Sequence, residues 1–230
     1  TTAGYGEAAI GFRVALREKV EPEAVDLGLS VKWATFNVGA SKPEDYGDYF
    51  AWGETEPKDI YSWTNYKWCD GTRNNMTKYN TTDGKTILEP EDDAAQVQWG
   101  DKWRMPTKDE MQELFDKCTW IEETRNGING YIVTGQNGNT IFLPRAGFYN
   151  YDEFGVSLQK PGHSVYYWTS TIYDSGSMNA RDYINAWDLV MNGLWDDNRL
   201  MDNTRRLGFP IRPVYDDRVT LTVIPTPEDA

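Results

Sequence analysis

The sequence predicts an α+β fold of short antiparallel strands and long ordered loops that carries two helices. Three observations predict it. Gly, Asn, Asp and aromatic residues alternate almost throughout, with 10 Trp, 14 Tyr and 8 Phe in 230 residues. That is the texture of short strands and turns, not of a helical bundle. Two stretches carry helix-start signals. One Asn-Gly pair separates two β-rich runs, the strongest short hairpin signal in the chain.

The elements follow in chain order. VKWATFNVG and DYFAWGE are the first strand candidates. LEPEDDAAQVQWG reads as a helix: Pro90 suits its first turn, and Glu91, Asp92 and Asp93 suit the positive end of the helix dipole. PTKDEMQELFDKC is the second helix. Thr107 followed by Glu110 forms a capping box, and Met111, Leu114, Phe115 and Cys118 share one face. YIVTGQNGNTIFLP is a hairpin around Asn137-Gly138. VYYWTST, AWDLVM and GFPIRPV complete the strand candidates, with Trp168 expected in the core. In AWDLVM, alternation puts Trp187 and Leu189 on one face and Asp188 and Val190 on the other. The main domain is expected over 21–217. Residues 1–20 are expected to form a leading strand or the tail of a preceding domain, and 218–230 a trailing strand or linker.

Charge and residue inventory narrow the function classes. The formal net charge of −13 repels a phosphate backbone, so nucleic acid is not an expected partner. No apolar run is long enough to span a bilayer. The two cysteines, Cys69 and Cys118, fit neither a zinc motif nor a dense disulfide framework. They read as two buried thiols, with a single bridge as the alternative. The one histidine, His163, lies in a turn entering a strand, and no nucleophile–base constellation can be built around it. No P-loop-type glycine motif is present, and the abundant carboxylates single out no catalytic pair. The chain is therefore expected not to be an enzyme.

A series of motifs runs in order from Ala24 to Tyr215: AVDLGLSVKWATFNVGA, YGDYFAWGET, YKWCDGT with MTKYN, LEPEDDAAQVQWGDKWRMPTKDEMQELFDKCTW, NGYIVTGQNGNTIFLPRAGF, YYWTST and RRLGFPIRPV. In these residues the chain resembles the Fibrobacter-type major paralogous domain of Bacteroidetes surface proteins. The resemblance implies a C-type-lectin-like fold, related to that of formylglycine-generating enzyme, with small twisted antiparallel sheets, two helices and extensive ordered loops. Those enzymes use cysteines late in the fold, whereas Cys69 and Cys118 lie early, so the catalysis does not carry over. The resemblance also implies an extracellular or cell-surface location. The C-terminal pattern Trp168-Thr169-Ser170, Asn185-Ala186-Trp187 and Arg205 before Gly208-Phe209 is similar to that of diversity-generating retroelement variable proteins. Such proteins display a hypervariable ligand-binding surface between these anchors.

The residues between the anchors have a paratope-like composition of rigid rings and short polar groups. The ligand-contacting candidates are Tyr173, Asp174, Asn179, Arg181, Tyr183, Trp187, Asp188, Trp195, Asp197, Asn198, Arg199, Asp202 and Asn203. Leu200 and Met201 sit in a polar stretch and read as partner contacts; for Trp195 and Leu200 the alternative is tucking back under the loop as satellite core. Trp195-Asp196-Asp197-Asn198 resembles the Trp-Asn-Asp motif of calcium-dependent lectins, but the order differs and the Glu-Pro-Asn partner motif is missing. No cofactor is expected, with a structural Ca²⁺ as the alternative. The expected function is a binding or adhesion module for a protein or glycan ligand. A non-binding spacer of a multidomain surface protein and a glycan hydrolase are the alternatives.

Overall fold

The computed structural model describes residues 20–177, 181–192 and 199–217. The leading and trailing segments expected at 1–19 and 218–230 lie outside them. The described chain opens with β1 (Ala24–Val25) and β2 (Lys32–Ala34). Long ordered loops follow, and a single 3₁₀ turn at Pro90–Asp92 leads into helix α1 (Ala94–Trp99). Asp93 caps α1, accepting from the backbone N–H of Ala95 at 2.9 Å and of Gln96 at 3.1 Å. Its other oxygen accepts from Met105 N–H at 2.8 Å. The cap thereby anchors α1 to the residue after β3 (Trp103–Arg104).

Helix α2 (Lys108–Lys117) begins with the expected capping box. Glu110 N–H donates to Thr107 Oγ1 at 3.3 Å, and Thr107 N–H donates to Glu110 Oε2 at 2.8 Å. Met111 and Leu114 are buried, and Phe115 and Cys118 pack partly buried against the same cluster. The 3.6-residue period therefore builds one apolar face, as the sequence predicts.

Strands β4 (Thr119–Arg125), β5 (Ile128–Thr134) and β6 (Thr140–Pro144) form a meander. Asn137-Gly138 lies in its second turn, with Gly138 at φ +85°. β7 (Phe148–Asp152) and β8 (Gly155–Gln159) form a separate hairpin. β9 (Ser164–Ile172), β10 (Asn185–Asn192), β11 (Arg199–Thr204) and β12 (Val214–Tyr215) complete the strands. They assort into antiparallel sheets in the orders β1-β2-β12-β3, β4-β5-β6, β7-β8 and β11-β10-β9. The fold is α+β, with small antiparallel sheets, two α-helices and much ordered loop among the described residues. No helix among them is long and apolar enough to cross a membrane.

Some strand candidates are shorter than expected. DYFAWGE contributes only an isolated pairing of Phe50 with Phe209, and GFPIRPV becomes a full strand only at Val214. Both are held instead by burial. Phe50, Trp52 and Phe209 are fully buried, and the Trp168 and Phe209 rings stack with centroids 4.1 Å apart.

The β9–β11 sheet has apolar packing on both faces. Trp168, Ala186 and Val190 join one cluster with Trp52, Tyr79 and Phe209. Val165, Tyr167, Leu189 and Leu200 join another with Trp33, Leu114 and Val133. A third cluster is dominated by tyrosines, Tyr49, Tyr61 and Tyr66, whose hydroxyls each donate to a backbone carbonyl. Cys69 and Cys118 are free thiols, each half-buried.

Candidate functional site

Alternation along β10 and β11 decides which predicted residues meet. Trp187 pairs with Asp202 in register, and Asp188 pairs with Met201. Directly opposed residues share a face. Trp187, Asp202 and Leu189 therefore lie on the side facing α2, and Asp188, Met201 and Val190 on the other.

On the α2 side the chain builds a patch at the sheet's end. Tyr173, just beyond β9, has its ring centroid 5.1 Å from that of Trp187, with the planes tilted by 57°. Both rings are half-buried. Lys108, the first residue of α2, holds its ammonium 3.8 Å from the Trp187 ring centroid. Its backbone N–H donates to Thr171 Oγ1 at 3.0 Å, which docks the start of α2 on the end of β9. A cation over an indole face is attracted by the ring quadrupole. Asp202 accepts from Asn185 Nδ2 at 2.7 Å and from exposed Arg181 at 3.3 Å. The patch thus combines two rings, an ammonium and a carboxylate–guanidinium pair.

The loop joining β9 to β10 is tied into this frame. Tyr173 N–H donates to Asn185 O at 3.0 Å, and Tyr183 N–H donates to Tyr173 O at 2.9 Å. Asp174 accepts from the Tyr183 hydroxyl at 2.7 Å and from Gly176 N–H at 2.8 Å. That hydrogen bond to Asp174 raises the Tyr183 phenol above its ordinary range. Asp182 is buried and accepts from both the N–H and the hydroxyl of Ser175.

Arg205 fastens the loop from below. Its side chain is fully buried, and it donates to a phenol and three backbone carbonyls rather than to a carboxylate. It donates to Tyr66 Oη at 2.8 Å and to the carbonyls of Lys78 at 3.0 Å, Tyr79 at 3.1 Å and Tyr183 at 2.8 Å. The Trp52 ring lies against its guanidinium, 4.9 Å away. Planar, weakly hydrated guanidinium suits such a site better than an ammonium.

Several expectations need correction. Asp188 is not a surface ligand contact. It is fully buried and, among the described residues, accepts from Asn203 Nδ2 at 3.0 and 3.2 Å. Burial holds its carboxyl well above the usual range. Asn203 is correspondingly occupied on the inner face. Leu200 and Met201 are not partner contacts: Leu200 is buried in the cluster facing α2, and Met201 packs against the opposite cluster. Both sit on a strand where a loop was expected, because β11 pairs with β10 over six residues. Arg199 is exposed but pairs with Val190, three residues from Asp202. It therefore falls outside the patch. Asn179, Trp195, Asp197 and Asn198, with the calcium-lectin-like string, lie outside the described residues.

Sequence reading missed Lys108. Its signal was the N-terminal position of a confidently capped helix, but nothing local tied that end to Trp187. It also missed the segment 73–82, which meets Tyr183 and Ile184 across a groove. Among the described residues, no group of three or more His, Cys, Asp or Glu side chains is placed to hold a metal ion. Comparison with known proteins finds no family model, no curated protein and no solved structure that matches this chain.

Proposed function

We propose that the chain is a ligand-binding or adhesion module of the cell surface or extracellular space, built on a C-type-lectin-like frame, and that it performs no catalysis. Its recognition face is the patch of Tyr173, Trp187, Lys108, Arg181 and Asp202. The observation that carries this reading is the pair of half-buried rings held 5.1 Å apart at a strand–helix junction, with charged groups beside them. Aromatic anchors on a fixed frame lose little conformational freedom on binding. A protein or a glycan could supply the complementary surface. The C-terminal anchors also support membership of the retroelement-diversified group. A reverse-transcriptase gene beside a near-copy of the Trp168–Val214 coding region would support that membership.

The test is an array of proteins and glycans probed with wild type and with a Tyr173→Ala, Trp187→Ala double variant. Anchor residues of this type cost about 2 kcal/mol or more each when truncated. The double variant should therefore lose its signal on the protein spots of the array while keeping a native circular dichroism spectrum. Undiminished binding by the folded double variant counts against the patch.

A further inference from the structure

A second concave surface lies on the other side of the β9–β10 loop. It is a groove of about 350 Å³ between the 73–82 segment and residues 182–184. That size falls within the roughly 300–1,000 Å³ of small-ligand sites. Asn74, Asn75, Thr81 and Thr82 supply amides and hydroxyls, Met76 and Ile184 supply apolar surface, and Arg73 is the one cation among the lining residues. Tyr183 lines the groove with the exposed part of a ring otherwise packed on the core, and Asn75 is engaged by Asp70. The one carboxylate, Asp182, is buried and engaged by Ser175.

The groove is pre-formed. Arg205 Nη1 donates to Tyr79 O beside one wall and to Tyr183 O in the other. A single buried nitrogen therefore sets their spacing. Both carbonyl-bearing residues hold positive φ, +56° at Tyr79 and +59° at Tyr183. Bulky residues avoid that region unless their surroundings enforce it. The 79–85 loop is fixed as well. Asn80 accepts from Thr82 N–H at 2.8 Å, and Asp83 accepts from Tyr79 N–H at 2.7 Å and Asn80 N–H at 3.0 Å. The Tyr183 hydroxyl is held by Asp174.

We infer that this groove is a second, metal-independent binding site for a neutral oligosaccharide. Amides and hydroxyls on a rigid frame match a ligand rich in hydroxyl donors and acceptors, and a tyrosine ring matches the apolar C–H face of a pyranose. The net charge of −13 disfavours sulfated or uronate chains. Arg73 then serves as a hydrogen-bond donor to hydroxyl oxygen. This inference does not depend on the Tyr173–Trp187 patch.

The test uses the full chain, in EDTA, on an array of neutral hexasaccharides (malto-, cello- and manno-series) with a heparin hexasaccharide as the anionic arm. The strongest neutral binder is then titrated calorimetrically against wild type, an Asn74→Ala, Thr82→Ala variant and Phe154→Ala, an exposed ring on the β7–β8 hairpin outside both surfaces. Both groove positions are exposed, so folding should survive, as circular dichroism would verify. The expected result is neutral binding that weakens about tenfold or more in the groove variant and by less than about twofold in Phe154→Ala. Three results overturn the inference: no neutral binding, a preference for heparin, or neutral binding that the groove variant leaves unchanged.

Discussion

Asp188 is fully enclosed by the core-facing side of β10 and accepts from the Asn203 side-chain amide. Burial raises its folded-state pKa, with the Asp202 charge adding to the rise against the Asn203 hydrogen bond. A carboxyl raised above its unfolded value of about 3.9 binds its proton more tightly when folded. The stability it contributes is complete below that unfolded value and is lost as pH rises through the folded value. Asp188→Asn should therefore be more stable than wild type at pH 7, by on the order of 1–2 kcal/mol, and lose that advantage near pH 4. Thermal melts of both proteins across this range check the sign. Burial also pushes Asp93 up to about 6, a component of the same sign that both proteins share. Arg205 sets the opposite case. Removing it leaves three carbonyls and a phenol without their donor, so Arg205→Met should cost about 3 kcal/mol or more in urea denaturation. Arg205→Lys should recover little, since three rotatable donors cannot reproduce the fork. Neither burial was legible from sequence. Asp188 is a lone carboxylate on the strand candidate AWDLVM, and Arg205 ends a polar stretch beside Arg206; only tertiary packing seals them.

At the scale of elements, the α2 cap links folding to the patch. Thr107→Ala removes the acceptor for Glu110 N–H and should cost about 1 kcal/mol. It should also loosen Lys108 over Trp187, which a shift in tryptophan emission would report. This cap and the face of Met111 and Leu114 were readable because both are local patterns. Asn137-Gly138 was readable for the same reason. A second signal of that kind, Asn126-Gly127, turns β4 into β5 with φ of +49° and +81°. Its strand β4 was passed over because TWIEETR keeps all seven of its residues at least partly in solvent, and so lacks an apolar run. β11 was missed for a different reason. RLMDNT buries one face on each of two clusters, so its apolar residues are adjacent and not alternate.

For the molecule as a whole, the charge of −13 sets a salt response. Exposed ion pairs such as Lys32–Asp217 and Lys42–Asp45 are worth about 0–1 kcal/mol each. We expect self-repulsion among the surplus carboxylates to outweigh their loss on screening. Raising sodium chloride from about 10 mM to about 150 mM shortens the screening length from about 30 Å to about 8 Å. The melting temperature should rise by about 2–4 °C if the repulsion relieved is near 1 kcal/mol. A fall would mean that the ion pairs dominate. At this scale, residue pattern and family resemblance together forecast the α+β class and the two helices. The site was legible as a composition but not as a place, since Lys108 is 79 positions upstream of Trp187 (187 − 108).

The sheet β11-β10-β9 sends alternate side chains into two separate clusters. A protein with two cores could melt in two stages, but here the same strands are structural members of both. Detaching β10 strips Val190 from one and Leu189 from the other in a single act. Heat should therefore take these two clusters apart together, and probes placed on Trp168 and on Trp33 should report one coincident transition.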